Sequence, residues 1–243
     1  MGRPARPPAA GRRGPRAARR RGLCGLGGVA PGGGGAEDAH GLDPTGHPGG
    51  TLSVPLLGEA AGWRLLSCLL ERPRPGWQDE VAALAGEVGD ASLASCAHRM
   101  AKEASEGSYL RVFGPGGSVS PREVAYRPDT DPAAVLARLA ALHAAFDFRP
   151  ASEDPIDHIA VELGFAGYLT LKRAWSVYQG EEEDATLAAE ALTIFRREHL
   201  DPFAMAVSER LEKSELYLAR IAPHLRAAVI NPGKGGDGAR SPG

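Results

Sequence analysis

Asp157, His158 and Glu162 are the residues whose types and spacing could do chemistry in this chain. They lie in Asp154-Pro155-Ile156-Asp157-His158-Ile159-Ala160-Val161-Glu162-Leu163, where titratable groups interrupt an apolar run. Asp154 is suited to cap a helix and Pro155 to its first position, where no amide hydrogen is needed. On such a helix His158 and Glu162 stand one turn apart on the same side, a spacing that helical metal ligands use. Asp157 points about a third of a turn away, and no second His-rich motif completes a ligand set, so no metal site is expected. The three groups could also shift one another's proton affinities, as happens in active sites and in structural networks alike. No nucleophile with a supporting motif accompanies them, nor any dinucleotide fingerprint. Gly114-Pro115-Gly116-Gly117 follows a helical pattern and lacks the lysine of a P-loop. The chain is therefore not expected to be an enzyme. A metal-dependent enzyme using His158 and Glu162 is the weaker alternative, and a structural role near the helix dipole is another.

Helical spacing supplies the elements that would position these groups. Leu56, Ala60, Trp63, Leu66 and Leu70 repeat at three and four, and Pro73-Arg74-Pro75-Gly76 ends that helix. Trp77, Val81, Leu84 and Val88 continue the pattern, and a third helix is predicted from Ser92 to about Val112. Asp131-Pro132, Asp154-Pro155 and Asp201-Pro202 each combine a capping side chain with a preset backbone angle, which predicts three helix starts. A helix is also expected from Asp184 through Phe195, and the last from Pro202 towards Leu218, bending before Pro223. The helix from Pro155 to Tyr178 is apolar on more than one side and belongs at the centre, with Gly164 and Gly167 allowing a neighbour close approach. No alternating strand or internal repeat is present. The expected fold class is all-α, a single-domain helical bundle.

Composition divides the 243 residues unevenly. Residues 1–36 hold eight arginines and no acid amid Gly, Pro and Ala, and residues 231–243 are again Gly-rich. Residues 1–50 are read as a disordered extension or a misassigned start, 51–230 as the helical domain, and 231–243 as a disordered tail. Between 51 and 230, 18 basic residues face 26 acidic ones, a charge of −8 that disfavours nucleic acid and suits a basic partner. Cys24, Cys68 and Cys96 are too scattered to form a metal or redox pair and read as free thiols. No apolar run approaches the ~20 residues of a membrane span, so no stable membrane insertion is expected.

Tyr109-Leu110-Arg111-Val112-Phe113-Gly114-Pro115-Gly116, then Pro121-Arg122-Glu123-Val124-Ala125-Tyr126, resembles the TorD/DmsD/NarJ family of cytoplasmic molybdoenzyme chaperones. Asp157-His158 with Glu162-Leu163, and Phe195 with His199-Leu200 and Pro202-Phe203, match later family elements in family order, over about residues 56–225. Val124 stands where the family usually has Ser, and Val112 where Leu is common. The resemblance implies an all-helical TorD/DmsD-like fold and a non-enzymatic cytoplasmic chaperone. Its implied partner is the precursor of a molybdopterin oxidoreductase catalytic subunit, bound through a twin-arginine signal peptide before or during cofactor insertion. By matching position, the implied peptide contacts are Tyr109, Phe113, Pro115, Tyr126, Asp157 and His158, with Glu162 a weaker candidate. A receptor for arginines beside an apolar stretch needs acids beside an apolar groove, which adds Glu123 to the set. The chain itself is expected to carry no cofactor and to be a monomer or homodimer. The alternative partner reading is a helical adaptor for a different protein.

Overall fold

Apolar residues at three- and four-residue spacing wind α1 (Val54–Leu69), with Pro55 in its first turn, where an amide hydrogen has no helical acceptor. The computed structural model describes residues 52–214 and 216–230. The extension, Cys24 and the C-terminal tail read from the sequence lie outside the described residues. After the proline-rich turn come α2 (Trp77–Glu87) and α3 (Ala91–Glu103). Asp90 caps α3, its carboxylate accepting from the amides of Ser92 at 2.8 Å and Leu93 at 3.0 Å.

The single helix expected over Ser92–Val112 is two. Ser105 and Ser108 form a reciprocal capping box that starts α4 (Glu106–Phe113) and leaves Ala104 extended. A serine pair that satisfies orphan amides offers the backbone an exit that apolar periodicity does not reveal. The remaining helices are α5 (Pro132–Ala145), α6 (Ile159–Gln179), α7 (Glu182–Phe195), α8 (Asp201–Leu211) and α9 (Ala222–Ile230). The fold is all-α, with no strand among the described residues. An isolated bridge joins Arg122 to His158.

Of the three Asp-Pro pairs, Asp131-Pro132 alone starts a helix as expected, Asp131 accepting from Ala133 N at 3.0 Å. Helix α6 begins four residues after Pro155, with His158 as its cap. Asp154 and Pro155 belong to the preceding turn. Asp201-Pro202 lies inside a continuous run from α7 through a π turn, Arg196–Leu200, into α8. Pro202 has no amide hydrogen for the Glu198 carbonyl four residues back; Arg127 Nη2 donates to that oxygen instead. Asp201, itself helical, is held by Arg196 at 3.0 and 3.2 Å. The last helix also stops early, at Leu211, and a 3-10 turn, Tyr217–Ile221, leads into α9.

Helix α6 forms the centre, packed along α1 and α7. Its first three turns are buried on nearly every side, with Phe165 inside a ring of His143, Phe146, Phe148 and Phe195. Burial holds the His143 imidazole neutral, its pKa pushed down to about 4. No described helix is long and apolar enough to cross a membrane.

The approach of α1 to α6 depends on Gly167. A side-chain carbon there would lie 3.2 Å from Trp63 Cβ and 3.3 Å from the Ala60 carbonyl. Gly167→Val is therefore expected to push the two helices apart and cost about 1–3 kcal/mol in urea denaturation. Gly62→Ala on α1, where nothing lies within 4 Å, is the control and should gain up to about 1 kcal/mol through helix propensity. A neutral Gly167→Val would show that the contact is slack.

Candidate functional site

Between α4 and α5 the chain forms a strap, residues 114–131, that runs across the first turn of α6. Its opening turn needs glycine: a side-chain carbon at Gly114 would collide with the Leu110 carbonyl, and one at Gly117 with the Val112 carbonyl. The strap is then laid against the residues before α6 by backbone bonds. Glu123 N donates to Asp157 O, and Ile159 N donates to Pro121 O, both at 2.9 Å. A 3-10 turn, Glu123–Tyr126, carries it over α8, where the Tyr126 ring meets Phe203 at 5.3 Å and lies under the Arg210 guanidinium.

His158 caps α6 with its ring: Nδ1 accepts from Ala160 N at 3.2 Å. That bond places the ring proton on Nε2, which donates to the Tyr109 hydroxyl at 3.3 Å. Burial lowers the His158 pKa, so the imidazole is neutral. Phe113 stands edge-on to both rings, at 5.4 Å from Tyr109 and 6.2 Å from His158. With both ring nitrogens engaged, His158 has none free for a metal shared with Glu162. Among the described residues no group of three His, Cys, Asp or Glu side chains is placed to hold one.

Three carboxyl groups gather beneath the strap. Asp157 accepts from Arg122 Nε at 2.5 Å and from Val124 N at 3.4 Å. Glu123 faces His199 Nδ1 at 3.1 Å and takes Arg127 Nη2 at 2.5 Å. Glu162 has neither protein partner nor exposure for its two oxygens. Burial first, then the charges of Glu123 and Asp157, hold its pKa well above the ordinary glutamate range.

The corner is closed, not the open slot that its residue types led us to expect. Tyr109 and Phe113 are 5% and 6% exposed, and Glu123, Asp157, His158 and Glu162 are buried with them. Pro115 is exposed on the strap's opening turn, and Tyr126 is half-buried. The guanidinium partners Arg122 and Arg127 are not among the site residues expected from the sequence, and His199 enters there only as part of the Phe195–Phe203 family element. The signal for the arginines was available, since they flank Glu123 on one short segment.

An open hollow lies instead along the side of α6 that faces α1. A groove of about 510 Å³ separates α1, α6 and residues 148–152; Leu57, Ala61, Phe148, Val161, Gly164 and Leu171 give it apolar walls. Glu71 and Glu87 also line it. Glu71 is held by Arg64 at 2.7 Å, and Glu87 is exposed. Gly164 lines this hollow and, as expected, also lets a helix approach: Ser67 Oγ of α1 would lie 3.3 Å from an added carbon.

The three segments that carry the family resemblance thus meet in space, at Tyr109–His158, Glu123–His199 and Tyr126–Phe203. A family model described as the nitrate reductase delta subunit matches residues 78–209. The chain belongs to that family, the NarJ/TorD-like chaperones. A comparison with curated proteins found no match. Among solved structures, the chain resembles a protein from Archaeoglobus fulgidus described as a redox enzyme maturation protein. The TM-score is 0.52 at 17% identity, over 70% of this chain and 93% of that one, a likeness of fold. This delta-subunit relative therefore combines a chaperone family's helical body with a buried, strap-covered acid corner and an open apolar groove.

Proposed function

We propose that the protein is a cytoplasmic, non-enzymatic chaperone for the precursor of a molybdopterin oxidoreductase catalytic subunit. It holds the arginine-bearing leader of that subunit and delays export until the cofactor has been inserted. The observation that carries this reading is the apolar groove that lies open along α1 and α6 of a NarJ/TorD-like chain. Family membership supports a redox enzyme as client, and the charge of −8 over residues 51–230 supports a basic one. Ordering a flexible leader costs ~2–5 kcal/mol, so micromolar binding, about −8 kcal/mol, requires apolar burial as well as charge. The groove supplies the apolar part.

Calorimetry on the full chain tests this reading. The probe is a synthetic leader with paired arginines before an apolar run, from a molybdopterin oxidoreductase encoded beside this gene. Micromolar binding that weakens in high salt is expected. Ala61→Trp, which fills the groove from a half-exposed helical position, should weaken it at least about tenfold, some 1.4 kcal/mol, with the helical content unchanged. Absence of heat with every neighbouring leader would defeat the proposal.

A further inference from the structure

We propose that the strap is an internal competitor of the client, its Arg122 and Arg127 standing where the client's paired arginines are received. This inference rests on the leader-binding reading above. Two carboxyl groups belong to the body beneath the strap, Asp157 just before α6 and Glu162 in its first turn. The strap brings an arginine onto the first of them. Arg122 binds Asp157 directly, and Arg127, anchored on Glu123, lies within coulombic reach of Glu162.

The fit to Glu162 is incomplete. Arg127 is drawn instead to Glu123 and to the Glu198 carbonyl, and both oxygens of the wholly buried Glu162 are left without a partner. A buried carboxyl with both oxygens vacant is the position that a guanidinium fork fills best, because it can donate two parallel bonds. A displaced strap removes Glu123 from beside Glu162 and frees Asp157 from Arg122. Two body carboxylates then face outward for two incoming guanidinium groups.

The strap is built to be exchanged. Its arginines remain 36% and 28% exposed in their side chains, so water already competes for them. Its seams with the start of α6 are two backbone bonds, Glu123 N to Asp157 O and Ile159 N to Pro121 O, with the Val124 amide and one ion pair, Arg122, on the Asp157 carboxylate; Glu123 with His199 and Tyr126 with Phe203 tie it to the run of α7 into α8. An incoming peptide offers the same guanidinium groups and carries an apolar run of its own, which an arginine from the strap does not.

Amide hydrogen exchange on the full chain, with and without saturating synthetic leader, tests the exchange of arginines. The Glu123 amide, read in fragments spanning residues 119–127, should lose protection at least about tenfold when the leader binds. In the paired variant R122Q/R127Q the same leader should bind about tenfold more tightly; if that variant fails to fold, the wild-type exchange result decides alone. Leader binding with the strap's protection intact would overturn this inference and leave the chaperone reading standing. No binding of any leader would overturn both.

Discussion

Arg122→Ala is expected to cost about 3 kcal/mol in chemical denaturation, clearly more than loss of its partner's charge in Asp157→Asn, about 1 kcal/mol. The ion pair is asymmetric: the Arg122 side chain is 36% exposed, whereas that of Asp157 is wholly buried. Removing the aspartate's charge leaves an arginine that can turn to water. Removing the arginine leaves a carboxylate whose remaining donors are one backbone amide at 3.4 Å and whatever water can enter under the strap. An uncompensated buried charge typically costs 3–5 kcal/mol; the lower end applies because the strap edge is open to solvent. The double variant R122A/D157N should recover most of the loss, giving a coupling of roughly 2 kcal/mol in a double-mutant cycle. Equal losses from the two single changes would show that Arg122 shields nothing.

The same asymmetry shows why the site was only partly legible in the sequence. Helices α1, α2 and α5 follow from apolar spacing and from Asp131-Pro132, signals that act within one or two turns. Asp154-Pro155 and Asp201-Pro202 carry the same local signal, yet neither starts a helix at its own position. His158 takes the cap of α6 through its ring, and Arg127 satisfies the carbonyl that Pro202 orphans. Arg127 is 71 residues from Glu198, beyond any local rule, whereas His158 caps an amide only two residues on, a local role that Asp154-Pro155 masked. Residue identities at the acid corner were legible for a similar reason: Asp157, His158 and Glu162 stand out against apolar neighbours. Their burial was not. It depends on a strap whose Arg122 neutralises Asp157 and on His199 arriving from the run of α7 into α8 to meet Glu123. The groove was missed because it is made by small residues, Ala61 and Gly164, which read equally well as close packing.

Glu162→Gln is expected to stabilise the protein at neutral pH, and the gain should grow with pH. The folded Glu162 carboxyl has a pKa well above the ordinary value of 4.5, mainly through burial and then through Glu123 and Asp157. Its stabilising contribution is thus complete below pH 4.5 and is lost as pH rises towards the folded pKa. In that window the unfolded chain releases a proton that the folded chain keeps, so wild-type stability falls by about 1.4 kcal/mol per pH unit from this group. Glutamine keeps the shape and does not titrate. Urea unfolding of the two proteins from pH 4.5 upward should therefore diverge at about that slope until the folded carboxyl itself ionises. His143 and His158, whose pKa values are lowered, drive stability the other way but are common to both proteins and cancel in the difference. A difference that stays flat with pH would mean that Glu162 is already ionised in the fold. A divergence would mean that the chain retains a destabilising carboxyl where a neutral amide fits, the trade-off expected of a group kept for binding rather than for folding. Leader affinity in the same variant should then fall, because an amide oxygen cannot pair with a guanidinium as a carboxylate does.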